Sequence, residues 1–375
     1  MLVKKKSANR SLFVAVALPP PVHGQSVVNK AVCESLINDF HGHLIVHDIS
    51  PRVLKKNTRY HANRLISVVK AISKLMAEGI NSRGGAAYFV LESGYGFLYN
   101  ILLIGVAKIF SRTVYIHHHT AFHTITKSQK FRFINFISGK ETIHFVLCDG
   151  MKKDIQSLYP NIGRVDVVNN ASFIGEYRSK GNRIPEEVFN LGYISNLCVE
   201  KGALTVFNAY RHCRTRGLEI NLFIAGPLTD GITQVALNAL IRDYPHDVKY
   251  LGPVYGDAKQ DFYRLLDVAL FPSRYKYEAQ PLVILEALQR GIPILATPQG
   301  YIGDLLDSLR LVLPAEQSSY CDSVYEKLSY WKENPSAYID LSNAAKNKFE
   351  ELNELSKSQF SQMISELAGD FCEVA

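Results

Sequence analysis

Residues 268–297, VALFPSRYKYEAQPLVILEALQRGIPILAT, decide how the rest of the chain is read. A short apolar run, Val268–Phe271, stops at Pro272-Ser273. A polar loop through Tyr277-Glu278-Ala279-Gln280 leads to an apolar segment of helical length, Pro281–Arg290, and Gly291 opens a second apolar run at Ile292–Ala296. Two buried-type strands around a helix make a βαβ unit. The loop after Phe271 then lies at the carboxyl edge of a parallel sheet, where α/β proteins bind ligands.

The same rhythm extends outward. Strands are expected at Phe189–Tyr193, Glu219–Ala225 and Val248–Leu251, and helices at Ala203–Arg216, Thr233–Asp243 and Lys259–Leu266. The polar stretch Glu176–Glu187, which carries Gly181, Asn182 and Pro185, reads as a domain junction. Before it come strands at Leu12–Leu18, Leu44–His47, Ala87–Leu91, Thr113–His117, His144–Leu147 and Val165–Val168. Helical spacing fills Ser26–Asn38, Arg59–Glu78 and Gly96–Phe110 between them. The fold class is therefore α/β: two Rossmann-like, doubly wound parallel sheets in tandem, with their strand ends expected to face a central cleft.

Composition agrees. A chain of 375 residues exceeds one typical domain, and 47% hydrophobic content excludes disorder, collagen-like repeats and a disulfide-stapled scaffold. Residues 1–185 hold 25 Lys and Arg against 10 Asp and Glu, while the remainder is acidic by eight charges. A basic half suits a polyanionic neighbour such as nucleic acid, an anionic membrane or a phosphorylated acceptor. No nucleic-acid motif accompanies it. The six cysteines, Cys33, Cys148, Cys198, Cys213, Cys321 and Cys372, form no C-x-x-C pair and read as reduced cytosolic thiols. Lys4-Lys5-Lys6 and Arg10 before Leu12–Leu18 imitate a secretory signal, but the run is short and prolines follow it, so a first strand is expected. Phe97–Phe110, the longest apolar stretch, is too short to span a bilayer and reads as a buried helix.

Several strand exits carry residues with chemistry. After the first strand, Gly24 and Gln25 precede an amphipathic helix that Ser26 could cap. Gly24 reads equally as an ordinary turn or as a ligand loop. No G-x-G-x-x-G is present, which argues against a nicotinamide dehydrogenase. His117-His118-His119 ends another strand, with His123 beyond. Consecutive strand residues alternate faces and no matching carboxylate set is nearby, so no metal site is expected. His118 or His119 reads as a substrate contact or as packing. Lys201-Gly202 at a helix start is a plausible phosphate contact, and Gly226 closes a further strand-to-loop exit.

Glu278 and Glu286, eight positions apart, form the sharpest pair. An acid within the apolar segment Leu282–Leu288 needs donors or a hydroxyl-rich ligand. Backbone amides of Gln280, Leu282 and Val283 would meet a diphosphate, Glu286 would accept from ribose hydroxyls and Glu278 from a sugar. The competing reading pairs Glu286 with Arg290 one helical turn later on a solvated face.

On these residues the chain resembles retaining glycosyltransferases of family 4, with the GT-B fold. The matching elements are Lys201-Gly202, Pro272-Ser273, Glu278 with Glu286, and Gly291-Ile292-Pro293. Gly24, His118/His119 and Asn170 match more weakly. The resemblance implies an acceptor-side domain at 1–182, a nucleotide-sugar domain at 183–345 and a helical segment, 346–375, that crosses back to the first. It implies that Lys201 neutralises the departing diphosphate, Glu286 binds ribose, Glu278 holds the sugar, and His118 or His119 contacts the sugar from the other wall. No cofactor or metal is called for. Many members carry an arginine where this chain has Ser195 and Asn196, and Arg274 is the expected substitute. The partners implied are a nucleotide-sugar donor, UDP-linked in the family pattern, and a lipid-linked or lipopolysaccharide-type saccharide acceptor in surface polysaccharide assembly. The basic domain would rest on an anionic membrane at the inner face of the cytoplasmic membrane. A GT-B epimerase or hydrolase, a silent nucleotide-sugar-binding subunit and a nucleic-acid-binding protein are the alternatives.

Overall fold

A computed structural model describes residues 2–4, 11–52, 58–81, 85–92, 94, 96–110, 112–177 and 188–369. The chain divides into two compact units, residues 1–173 with 354–375, and residues 174–353.

The first unit is built on one sheet of seven strands among the described residues: β1 (Leu2–Lys4), β2 (Ser11–Val16), β3 (His43–Asp48), β4 (Ala86–Val90), β5 (Thr113–His117), β6 (Ile143–Val146) and β7 (Arg164–Val167). Their order is β1-β3-β2-β4-β5-β6-β7. β1 pairs antiparallel with β3 and the other neighbours are parallel. β2, the run that imitates a signal sequence, pairs on both sides and is buried from Leu12 onward. Its near-continuous apolar character follows from burial on both faces of a parallel sheet. The strand order reverses between β2 and β4, which marks the ligand-binding edge of this sheet.

Helices α1 (Gly24–Asp39), α2 (Thr58–Asn81), α3 (Gly96–Ile109), α4 (Phe122–Ile125), α5 (Gln129–Ser138) and α6 (Asp149–Leu158) connect these strands. α2 packs on α3, and α3 on α5. Two expectations need correction. α1 begins two residues before the expected start, and its cap is His23: His23 Nδ1 accepts from the Ser26 amide at 3.3 Å and the Ser26 hydroxyl accepts from the His23 amide at 2.9 Å. Ser26 is thus the inner member of a capping box instead of the cap. α3 is not a buried helix. Phe97, Leu103, Ile104 and Ala107 face the core, but Leu98, Leu102 and Ile109 are exposed. An apolar pattern on every side reports a lack of charge and cannot say which side finds a partner.

The second unit holds β8 (Phe189–Ile194), α7 (Ala203–Thr215), β9 (Ile220–Ala225), α8 (Gly231–Asp243), β10 (Val248–Tyr250), α9 (Gly256–Leu265), β11 (Val268–Phe271), α10 (Leu282–Gln289), β12 (Ile294–Ala296), α11 (Ile302–Leu306) and α12 (Gln317–Glu333). Its five strands are all parallel, in the order β10-β9-β8-β11-β12. The order reverses between β8 and β11. Much of the expected junction, residues 178–187, lies outside the described residues, as do Tyr95 and Cys372. The other five cysteines are free thiols.

A long last helix, α13 (Pro335–Ala368), belongs to both units, passing into the first from Glu354. In the first unit the Glu366 carboxylate meets Arg164 at 2.6 Å, Gln359 accepts from the Asn169 amide at 3.1 Å, and Met363, Ile364 and Leu367 are buried. Burying three such side chains is worth about 5 kcal/mol. Ending the chain after Asn353 should therefore lower the unfolding temperature of the first unit or abolish its folding. Unchanged calorimetric unfolding of the truncated chain would contradict this account of the last helix.

Candidate active site

The loops after β8 and β11 meet at the point where the second sheet reverses order. The β8 loop ends in Lys201-Gly202, and Gly202 caps α7 with φ 84°. A Cβ there would sit 1.9 Å from the Pro272 carbonyl oxygen, so both the left-handed backbone and the close approach of the β11 loop demand glycine. The Arg274 amide donates to the Glu200 carbonyl at 2.9 Å, and the Tyr193 hydroxyl donates to the Lys201 carbonyl at 2.9 Å. These bonds fix the backbone from which Lys201 projects.

Lys201 Nζ lies 2.5 Å from Glu278 Oε1, which also accepts from the Ser273 hydroxyl at 2.7 Å. The Glu278 side chain is only 9% exposed, while that of Lys201 keeps 26%. Lys201 also lies 4.8 Å from the centroid of the Tyr275 ring. A buried carboxylate is costly without a partner, so Lys201 and Ser273 are what hold the Glu278 side chain in place. The lysine faces a ligand with its charge already balanced.

Glu286, on α10, has a different environment from either sequence reading. Its carboxylate meets Lys259 Nζ at 2.5 Å and the Tyr263 hydroxyl at 2.8 Å, both from α9. Arg290 instead donates to the Glu286 backbone carbonyl at 2.6 Å and stacks 4.6 Å from the rings of Tyr263 and Tyr177. The expected pairing of the Glu286 and Arg290 side chains is therefore not formed. Burial and the charge of Glu286 hold the Tyr263 hydroxyl well above its usual pKa, so it stays a donor. A carboxylate has about four acceptor positions. Among the described residues two are used, and the two left are the number a vicinal diol takes.

α10 begins at Leu282 behind Pro281, which supplies no side-chain cap, so Leu282 and Val283 lie in an uncapped first turn. Gln280 is buried and Arg274 is exposed. Gly226, at the exit of β9, has φ 125°, and a Cβ there would lie 1.8 Å from the Ser195 carbonyl oxygen. Its glycine is required by the neighbouring β8 loop. Lys201, Glu278, Ser273 and the start of α10 thus share one edge, with Glu286 one helix turn further on. Lys259 and Tyr263 were not foreseen. Their spacing of four on α9 places both on one helix face, which was the available signal.

The remaining candidates lie in the first unit. His118 is 1% exposed, and its Nε2 is 3.0 Å from His144 Nδ1. His117 Nδ1 is 2.7 Å from the Tyr88 hydroxyl, and His119 is only partly buried. Gly24 and Gln25 form the first residues of α1, beside the cap His23, and Asn170 opens a short turn after β7. The sheet edge near His23 also carries the ion pair of Arg64 with Glu92 at 2.7 Å, which sequence reading missed. Among the described residues no group of three or more potential ligands is placed to hold a metal ion.

Residues 188–327 match the family described as glycosyl transferases group 1. No curated protein matches the sequence. Among solved structures, sucrose-phosphate synthase from Thermosynechococcus elongatus superposes with a TM-score of 0.69 at 14% identity, covering 96% of this chain and all of that one. HepE from Anabaena, solved with UDP-glucose, gives 0.63 at 13% identity, covering 94% of this chain and 99% of its own. The pneumococcal O-GlcNAc transferase GtfA, solved with UDP and GlcNAc, gives 0.62 at 14% identity over 79% of this chain and 60% of its own. The fold is thus of the GT-B class. The segment that matches glycosyl transferases group 1 lies within the second unit.

The histidine cluster generates a pH prediction. Burial drives His119 and His144 down to about 3 and His123 to about 4, and burial with neighbouring imidazoles holds His117 and His118 well below the usual value. Near neutral pH these rings are uncharged in both the folded and unfolded states. Below about pH 6.5 the unfolded chain takes up protons that the folded chain refuses, so stability falls with pH until the folded pKa values are reached. For the buried His123 and His144 this costs about 2 kcal/mol each at pH 5. The first unit should therefore lose much of its thermal stability between about pH 6.5 and 5. His123→Phe, at a site already lined by Phe97, Phe122 and Phe131, should flatten the dependence. An acid response identical in the wild type and this variant would count against it.

Proposed function

We propose that the protein is a retaining glycosyltransferase that moves a sugar from a UDP-linked donor to a hydroxyl of a lipid-linked or lipopolysaccharide-type saccharide acceptor, in surface polysaccharide assembly at the inner face of the cytoplasmic membrane. The observation that carries the donor assignment is the Lys201–Glu278 pair beside the uncapped start of α10, with Glu286 held ready on the same helix. The two solved structures above that hold UDP or UDP-glucose support the choice of base.

In this reading the diphosphate meets Lys201 and the amides of Leu282 and Val283, with Gln280 and the exposed side chain of Arg274 beside them. Ribose hydroxyls donate to the free acceptor positions of Glu286, and sugar hydroxyls donate to Glu278 once Lys201 turns to phosphate. Lys201 and the helix dipole stabilise the charge that develops as the bond from the anomeric carbon to the diphosphate oxygen breaks. The acceptor hydroxyl attacks from the same face, forming the new glycosidic bond with retained configuration. Its proton passes to the departing diphosphate. Charge compensation by lysine and amides supplies what a cation would, so the reading needs no metal or cofactor. Gly24 and Gln25 are assigned to the acceptor side, Gly226 to keeping the donor loop open, and of the two histidines the partly exposed His119 is the better ligand contact.

Thermal stabilisation against a panel of nucleotide sugars should single out UDP-linked donors, and product analysis with the best donor and a lipid-linked oligosaccharide should show an α-to-α or β-to-β transfer. Lys201→Ala should lower turnover by about a hundredfold or more, and Glu286→Gln should weaken donor binding while binding of ribose-free inorganic diphosphate is unaffected. Near-normal turnover in Lys201→Ala would sink the site assignment. Free sugar as the only product, acceptor present or not, would favour the hydrolase alternative.

A further inference from the structure

The outward side of the first unit's helices is unusually apolar for a surface in water. On α2, Leu65, Ile66, Val69, Met76 and Ile80 are exposed at helical spacing. On α3, Leu98, Leu102 and Ile109 form a second stripe, and on α5 Phe133 and Phe136 form a third. Because α3 packs against both α2 and α5, the three stripes adjoin. Ile80, Ile109 and Phe136 are 74%, 73% and 81% exposed, and each lies in the last turn of its helix. Those turns are neighbours: a Cβ on Gly79 would strike the Phe110 ring, and a Cβ on Gly139, just past α5, would lie 4.0 Å from Lys108 Nζ.

Exposed charge on this face is mostly of one sign. Residues 58–141 contain eleven Lys and Arg against three acids, Glu78, Glu92 and Glu141. Arg64 and Arg112 are buried and Glu141 is exposed beside Lys140. Glu78 meets His43 at 3.2 Å and Glu92 meets Arg64 at 2.7 Å. Lys70, Lys127, Lys130, Arg132 and Lys140 are exposed. Beside Phe136, a groove of about 500 Å³ is lined by Lys127, Arg132 and Lys140 together with Asn135 and Asn161. No helix of the described residues is long and apolar enough to cross a membrane.

We propose that the joined outer faces of α2, α3 and α5 are a docking surface for an anionic phospholipid bilayer, with the apolar side chains entering the acyl boundary and the groove taking a lipid phosphate. Bulky aliphatic and aromatic side chains among lysines, with few acids, are the pattern of an interfacial membrane contact. Exposed lysine and arginine stems can lie along the apolar surface while their charges reach the headgroups. Each cation near an anionic surface contributes about 1 kcal/mol. A second copy of the chain is the poorer occupant, because self-pairing would set this cationic face against itself. The proposal rests on exposure and charge in the first unit and is independent of the donor reading.

The test is co-sedimentation of the full chain, with no nucleotide or acceptor, using phosphatidylglycerol-containing vesicles and vesicles of phosphatidylcholine alone. Binding is expected only to the first. Phe133→Ser with Phe136→Ser, and separately Lys130→Glu with Lys140→Glu, should each weaken it about tenfold or more. All four side chains are exposed, and an unchanged circular dichroism melt checks that each variant is folded. Equal binding to both vesicle types, no binding to either, or wild-type binding by both variants would overturn the proposal. So would a wild-type dimer in sedimentation velocity that the phenylalanine variant dissociates, which would give the face to a second copy.

Discussion

Burying the carboxylate of Glu278 is the constraint around which the second unit's ligand edge is arranged. An ionised acid with so little exposure needs compensation within bonding distance. Ser273 supplies one donor from the exit of β11, and Lys201 supplies another across from the exit of β8. The second requirement brings the two loops together, which in turn leaves no room for a side chain at residue 202. The pair also stores the lysine where a polyanion can compete for it. A diphosphate offers more negative charge than one carboxylate, so in the proposed reading the ligand redirects Lys201 while sugar hydroxyls take over at Glu278. Stability and binding are thus linked through the same contact.

Glu286 follows the same logic with a different division of labour. Its cation, Lys259, and its neutral donor, Tyr263, both come from one face of α9, so the carboxylate is oriented without being saturated. Arg290 is drawn away into a stack of two tyrosines and a backbone carbonyl. This separation keeps the strongest local cation from closing the acceptor positions that a diol would use.

The chain's two-sheet character was legible because parallel strands buried on both faces write themselves as uninterrupted apolar runs, as in Leu12–Val16 and Val268–Phe271. The paired acids were legible because a glutamate inside Leu282–Leu288 has to be explained. What sequence could not supply was the identity of partners brought by tertiary packing. Arg290 is nearer to Glu286 in sequence than Lys259 is, yet Lys259 takes the carboxylate. Similarly, α3 is apolar on every side, and only packing reveals that α2 and α5 flank it and leave Leu98, Leu102 and Ile109 exposed. The histidine run showed a cluster but not its burial, which separates His118, bonded to His144, from the more accessible His119. Helices α5, α6 and α12 went unread because their patterns are short or mixed with polar residues. Five exposed cations of the basic first half, Lys70, Lys127, Lys130, Arg132 and Lys140, lie on or beside the helices that carry the exposed apolar side chains.

The central claim is that Lys201 exchanges Glu278 for a diphosphate. A crystal structure of the full chain with a UDP-sugar tests it most directly. The account predicts Lys201 Nζ within hydrogen-bond distance of a diphosphate oxygen, the diphosphate at the first amides of α10 and the ribose diol on Glu286. Nucleotide bound away from α10, or Lys201 still on Glu278 with the diphosphate out of reach, would contradict it.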